Sequence, residues 1–425
     1  MATSATTLWR HADFLRLWAG QTISRFGSQI GAGALGLTAI LVLSATPAQM
    51  GLLAAAATLP TLLIGLPAGV WADRLRRRPM LIGADLGRAL LLLSVPLAAL
   101  GGLLTMLHLY VITALVGMLT ILFDVAYQAY VPTLLAREQI VEGNSKLGVS
   151  DSVAEIAGPP LGGALVQLIS APWTVAWDAV SFLVSAFALW RIRTSEHAPA
   201  QPESQQRFIA SVGDGLRTTT RQPVLRTLLV STAGLSLAGG IIGSLHSLYA
   251  IRELGLSPVL LGTIVGIGGC GALVGALLAG RITQRFGVGP AIVVALGSVS
   301  VTALLIPFAA GQWAVPLLLL SQIGDVAWPI FFINELSLRQ AVTPARVMGR
   351  VNASMQFAAA AAALVGALAG GFLGETIGLR AAMAVGVGML ICTSMWVAAS
   401  PIRALRALPE PDGINNSPTP AAASA

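Results

Sequence analysis

Five ionisable residues stand where the chain otherwise offers only apolar ones: Arg25, Asp124, Asp151, Glu155 and Asp325. Asp151 and Glu155 are four apart, so any helix that contains them carries both on one face. A charge among hydrocarbon is costly, and residues kept there are functional candidates by default. A carboxylate withdrawn from water holds a proton more readily. It can load that proton on one side of a barrier and release it on the other. We expect Glu155 and Asp124 to carry protons, Arg25 to be their counter-charge, and Asp151 and Asp325 to belong to the same set. The competing reading is a fixed ion pair, such as Arg25 with Asp124, that only holds helices together. Asp85 and Arg88, three apart, are expected to form such a structural pair. Asp178 and Glu335 fall near the ends of apolar runs and are expected to be solvated.

The elements that position these groups follow from composition. Of 425 residues, 55% are hydrophobic and only 10% charged, against about 25% charged in a soluble domain. Such a chain cannot cover a water-facing surface, so its solvent is lipid. Apolar stretches of about 20 residues, the length that crosses a bilayer, fall near 14–43, 48–72, 80–102, 109–132, 147–169 and 173–191. They resume near 224–249, 258–280, 288–310, 314–337, 348–372 and 379–400, which makes twelve. The first reads as an uncleaved helix because no short apolar core with a cleavage site precedes it. Arg25, Asp124 and Asp325 then lie near the midplane, Arg25 about 15 Å from the edge at 1.5 Å per residue.

The net charge of +7 would suggest nucleic acid in a soluble protein. Here 21 of the 25 Lys and Arg residues fall in, or within three residues of, the two tails and the loops after even-numbered spans. That asymmetry is a topology signal. It puts both termini in the cytoplasm of a multi-pass cell-membrane protein and leaves no case for a nucleic-acid partner. Cys270 and Cys392 are expected to be packing residues, and no metal, cofactor or nucleophile constellation emerges. GIGGCG at 266–271 lies inside an apolar run and is read as helix packing, not as a dinucleotide loop.

Internal repetition divides the chain. Residues 143–163, GNSKLGVSDSVAEIAGPPLGG, align without gaps on 351–371, VNASMQFAAAAAALVGALAGG, pairing Gly158 with Gly366 and Gly162-Gly163 with Gly370-Gly371. Asp124-Val-Ala-Tyr matches Asp325-Val-Ala-Trp, and ADRLRRR at 72–78 falls opposite AGRITQR at 279–285. We therefore expect an all-α integral membrane fold of two six-helix halves, 1–191 and 223–400. A cytoplasmic linker at 192–222 would hold a short amphipathic helix with Phe208, Ile209, Val212 and Leu216 on one face. Residues 401–425 are expected to be a disordered tail. Parallel repeats of this kind occur in secondary transporters, whose substrate site lies between the halves.

Within GPPLGG, Gly158 and Gly162 have the spacing that lets a neighbouring helix approach closely. Pro159 and Pro160 remove backbone donors and bend the helix. Twelve spans in two sixes, GVWADRLRRR after span 2 and GPPLGG in span 5 together resemble the major facilitator superfamily. HADFLRLWAGQTISRFG, IASVGDGLRTTTRQPVLRTLL and RVMGRVNAS are similar to the twelve-helix drug and siderophore exporters, which include enterobactin and macrolide efflux proteins. The resemblance implies that Gly69, Asp73, Arg74, Arg77 and Arg78 form a conformational switch, with Asp73 facing the start of span 11. Arg76 stands where the family has a second glycine, so the turn there must be built differently. The resemblance also gives Gly158, Pro159, Gly162 and Gly163 the role of an antiporter motif, and it implies a cavity walled by spans 1, 4, 7 and 10. Phe26, Tyr127, Trp328 and Phe331 are the candidates to line that cavity. The arginine that the family's antiporters carry in span 4 is absent.

The function these features favour is proton-coupled export of a small apolar or amphipathic compound, such as a drug, secondary metabolite or siderophore, by alternating access in a monomer. A proton symporter importing a nutrient would keep the fold and reverse the direction. A membrane sensor or interaction protein would need a large soluble domain, and the longest polar interval is about 30 residues. A membrane enzyme would need a catalytic cluster, and none is visible.

Overall fold

In a computed structural model, residues 8–64, 75–194 and 208–408 are described, and among them there are helices and turns but no strand. Lipid cannot satisfy a backbone N–H or C=O, so a chain this apolar closes its hydrogen bonds within each span. The first six spans are α1 (Ala12–Leu41), α2 (Pro47–Ile64), α3 (Arg77–Leu100), α4 (Met106–Leu134), α5 (Arg137–Ile169) and α6 (Ala171–Trp190). The linker helix is α7 (Phe208–Arg221). The second set is α8 (Pro223–Glu253), α9 (Pro258–Phe286), α10 (Val288–Phe308), α11 (Gly311–Val342), α12 (Ala345–Thr376) and α13 (Leu379–Ala399).

Eleven of the described helices are long and apolar enough to cross a membrane. Helix α1 has the length, at 30 residues. Its composition is diluted by Gln21, Thr22, Ser24, Arg25, Ser28 and Gln29. It is held by packing against α5 and α6 and completes the twelve. The starts are encoded locally: the side chains of His11, Thr105 and Ser257 accept the N–H groups of Phe14, His108 and Leu260. Pro172, Pro223 and Pro258 occupy first turns, where a missing N–H costs nothing. Two spans depart from α geometry. Helix α8 ends in a π-helical turn at Tyr249–Glu253, and α11 tightens to a 3-10 stretch at Gln322–Val326.

The matched glycines do matched work. Gly158 packs against Gln29 of α1, and Gly366 packs against Leu237 of α8. A Cβ on Gly162 would lie 2.9 Å from the Ile30 carbonyl oxygen, and one on Gly370 2.8 Å from that of Ile241. Each helix then turns the second glycine of its pair to the other half: Gly163 to Pro258 and Val259 of α9, Gly371 to Pro47, Ala48 and Gly51 of α2. These seams, α5 on α9 and α2 on α12, join the halves. The contacts just named lie away from the face that carries the two ends of the described chain. Glu375 Oε2 accepts the Ala48 N–H at 3.3 Å on the same side.

Helix α7 packs on α12, where Gly215 lies directly against the Arg350 carbonyl and the Ser354 side chain. Thr219, one turn on, is buried, while Leu216 is exposed. The other three residues of the expected apolar face, Phe208, Ile209 and Val212, have side chains outside the described set. The expectation for the two cysteines is corrected: Cys270 and Cys392 are both exposed. In a bundle solvated by lipid, an apolar run supplies outward-facing residues as well as packed ones.

Candidate functional site

Helix α1 carries a polar stripe, Gln21, Ser24, Arg25 and Ser28, at three- and four-residue spacing, so one face looks into the first half. Gln21 Nε2 donates to Ser185 Oγ of α6 at 2.9 Å. Arg25 Nε lies 3.3 Å from Asp151 Oδ1 of α5, and Nη2 lies 3.8 Å from Asp124 Oδ1 of α4. One guanidinium thus joins three helices. The side chains of Arg25, Asp124 and Asp151 remain 42%, 41% and 52% exposed. A pair that open to its surroundings can exchange protons and partners, which a sealed strut cannot. Glu155, one turn deeper than Asp151 on the same face, is also exposed and has no ion pair with a described residue. The structure brings Asp124 and Asp151 to Arg25 and leaves Glu155 beside them.

Asp85 and Arg88 form the expected structural pair, joined directly and buried. The Arg88 guanidinium is also clamped between two rings, 4.4 Å from the centroid of Phe123 and 4.0 Å from that of Phe182. Asp178 and Glu335 overturn the expectation of solvation, since both are buried. Depth along a helix misplaced them because it says nothing about which face a residue occupies. Asp178 faces Gly27 and Gly31 of α1, whose bare Cα positions let the helices close around it. Glu335 lies one turn before Arg339 on α11, 3.8 Å away. A cavity of 220 Å³ connects Arg25, Arg88, Asp124, Asp178, Ser28 and Phe123.

The second half has its own cavity, 340 Å³, lined by Asp325, Gln322, His246, Ser247 and Trp328 among others. Gln322 Nε2 lies 3.2 Å from Asp325 Oδ2 and 3.2 Å from the Ile264 carbonyl oxygen, so the amide bridges α11 to α9. No described residue makes a salt bridge to Asp325. The reason is in the repeat: Gln29 and Leu237 are equivalent, and the same offset of 208 residues places Ala233 where Arg25 stands. Trp328 stacks on Phe332 at 5.5 Å and meets Phe331 edge-on at 6.4 Å. Phe331 is 1% exposed and belongs to the packed core, so Trp328 alone of the two reaches the cavity. Tyr127 stacks on Phe123 at 5.8 Å, and Phe26 is half-buried beside Arg25.

Of the switch residues, Gly69, Asp73 and Arg74 lie outside the described residues. Arg76 caps α3 at φ −64° and ψ 125°, ordinary extended backbone that needs no glycine. Arg77 opens the helix. Arg78 donates from Nε to the Leu189 carbonyl at 3.0 Å and from Nη2 to that of Trp190 at 2.5 Å. It adds a charged donor to carbonyls in the last turn of α6 and ties α3 to α6 within the half.

In GPPLGG, Gly158 and Gly162 face α1 while the prolines and Gly163 face α9. Pro159 and Pro160 cannot donate to the carbonyls four residues back, those of Glu155 and Ile156. Helix α9 brings glycines to that opening. A Cβ on Gly266 would lie 2.6 Å from the Ile156 oxygen, and one on Gly269 3.4 Å from the Glu155 oxygen. Such approaches suit Cα–H···O contacts, a modest stabilisation.

Sequence alone gives no signal for Gln322, and it favours a solvated Asp178 and a packed His246 where the structure has Asp178 buried and His246 lining a cavity. The signal for Asp178 was present, in the Gly27-xxx-Gly31 spacing on α1 and the serine at 181.

A family model described as transmembrane secretion effector matches residues 3–421. The MFS-type transporter YfiS of Bacillus subtilis (strain 168) is 29% identical over 379 residues, 87% of this chain and 89% of that protein. The multidrug efflux pump Tap of Mycolicibacterium fortuitum is 29% identical over 357 residues, 80% and 84%. The enterobactin exporter EntS of Citrobacter koseri is 23% identical over 342 residues, 78% of each. Among solved structures, a bacterial homologue of the iron transporter ferroportin in its inward-facing state gives a TM-score of 0.75 at 20% identity, over 92% of this chain and 99% of that one. An outward-facing structure of such a homologue gives 0.58 at 21% identity, over 91% and 98%. With twelve helices in two matched sixes and a family match over nearly its whole length, the chain belongs to the transmembrane secretion effector family: it is a multi-pass membrane transporter of the major facilitator type and not an enzyme.

Proposed function

We propose that this transporter exports a small, largely apolar or amphipathic compound in exchange for protons, by alternating access as a monomer in the cell membrane. The observation that carries the reading is the Arg25 cluster: one guanidinium shared by Asp124 and Asp151, about 15 Å inside the bilayer edge and open enough to exchange its partners. Protonation of either carboxylate removes its hold on Arg25 and frees α1 from α4 or α5. Deprotonation restores the tie. Helix α5 also carries the seam to α9, so a change at Asp151 acts on a helix that joins the halves. Export is favoured by the efflux pumps and exporters among the relatives and by the proline pair present in only one half.

The positive-inside bias makes the face bearing the chain ends cytoplasmic. The seams between the halves then close the outer side, and the described conformation is inward-facing. The higher TM-score to the inward-facing solved structure supports that assignment. The apolar walls around Phe123 and Trp328 suit a substrate bound by contact area more than by hydrogen bonds.

The test is flux in liposomes under an imposed pH gradient, with a panel of lipophilic dyes and antibiotics as probes. Dye movement against the proton gradient's direction, abolished by collapsing that gradient, is expected. Flux that ignores the gradient would end the proton-coupled reading, and dye moving with the protons would make the protein an importer.

A further inference from the structure

Asp178 is the acid of the first-half cavity that makes no salt bridge with a described arginine. Six charged groups face this cavity or the ion pairs beside it: Arg25 from α1, Asp85 and Arg88 from α3, Asp124 from α4, Asp151 from α5 and Asp178 from α6. Arg25 is shared by Asp124 and Asp151, and Arg88 is joined to Asp85. Four acids against two bases leave the cluster two negative charges in excess when all are ionised. The described hydrogen-bond partners of the Asp178 carboxylate are neutral, Ser28 Oγ and Ser181 Oγ, each 3.3 Å from Oδ1; Arg88 acts on it from a distance while paired directly with Asp85. Its other oxygen points at α1, where a Cβ on Gly31 would lie 2.6 Å away. The residue is 7% exposed. A buried carboxylate without a counter-charge is costly, and a carboxylic acid in the same place is not.

We propose that Asp178 is a second proton-binding site of the first half, filled from the Arg25–Asp124 cluster through the cavity they share. The proton leaves the Asp124 carboxyl for the Asp178 carboxylate, and Asp124 is returned to Arg25. Arg25 and Ser28 are three residues apart on α1, so both ends of the transfer act on the same helix. The part this site plays in transport rests on the proton-coupled reading above; the presence of the proton does not.

Infrared spectroscopy of the purified full chain reads the C=O stretch of protonated carboxyl groups across a pH titration. In Asp178→Asn the band should lose one component that Asp124→Asn retains. An unchanged band in Asp178→Asn overturns the proposal. If Asp178→Asn does not purify as a folded protein, Ser28→Ala and Ser181→Ala each remove a donor from the carboxyl. The pH at which the component disappears must then move, and an unmoved midpoint overturns the proposal equally. In liposomes, one proton fewer per cycle lowers the substrate ratio sustained by one pH unit about tenfold. That drop is expected of Asp178→Asn, and an unchanged ratio overturns the coupled role. Wild-type transport indifferent to the gradient would defeat the proton-coupled reading while leaving the infrared result to decide Asp178.

Discussion

In the first half the midplane aspartate of the fourth span, Asp124, faces an arginine; in the second half its counterpart, Asp325, faces an amide and a cavity lined by His246 and Trp328. The scaffold around them is duplicated, down to the glycines that seat α5 on α1 and α12 on α8. Two substitutions in the repeat, Arg25 against Ala233 and Asp151 against Ala359, separate the two sites. A base in the first half makes a site whose ties depend on protonation. Without one, the second half keeps an acid hydrogen-bonded to Gln322 in a cavity that Trp328 and His246 also line, which on the proposed reading suits a cargo that brings its own positive charge or none. On the proposed reading, duplication supplied the frame, and divergence at a few positions divides the labour between coupling and recognition.

The largest effect that would break this comparison is at Arg25. Arg25→Gln leaves Asp124 and Asp151 without their cation, and gradient-driven flux in liposomes should fall at least about tenfold, equivalent to about 1.4 kcal/mol. Flux within twofold of wild type would return the cluster to a structural role. Asp124→Asn should abolish the response to the pH gradient while passive exchange of dye between the two sides survives. Asp325→Asn should do the reverse: coupling persists, and the preference for cationic over neutral dyes falls severalfold in a binding titration. If Asp325→Asn uncouples as fully as Asp124→Asn, the division between halves is wrong. Trp328→Ala removes a stacking surface and should weaken aromatic dye binding by about 0.5–1.5 kcal/mol, read as quenching in the same titration. The smallest effect is expected at Arg78→Gln. Losing two hydrogen bonds from a charged donor to α6 should lower stability by about 1–3 kcal/mol, seen as a lower midpoint of thermal unfolding with coupling intact.

These predictions draw on two kinds of information, and the sequence carried one better than the other. The twelve spans and the two halves were legible because lipid as solvent imposes long apolar runs, and because the repeat aligns without gaps over GPPLGG and its copy. The pairing of Arg25 with Asp124 was legible from depth alone, since both lie near the midplane. Facing was harder to read. Asp178 and Glu335 looked solvated by their distance from helix ends, yet both turn inward, one onto a glycine pair of a helix 150 residues away in sequence. Phe331 looked like a cavity residue beside Trp328 and is instead packed in the core. Arg76 seemed to require a special turn, and its backbone is ordinary. Each of these depends on which neighbour a helix face meets, and a single sequence does not state helix neighbours.

The central claim of the proposed function is that substrate is exchanged for protons held in the Arg25 cluster, with Asp124 as a proton carrier. It is tested most directly by adding a transported dye to the detergent-purified protein in weakly buffered solution and following pH with an indicator. Exchange predicts proton release on dye binding in the wild type and none in Asp124→Asn. Dye binding without proton release in the wild type, or equal release from both proteins, would contradict it.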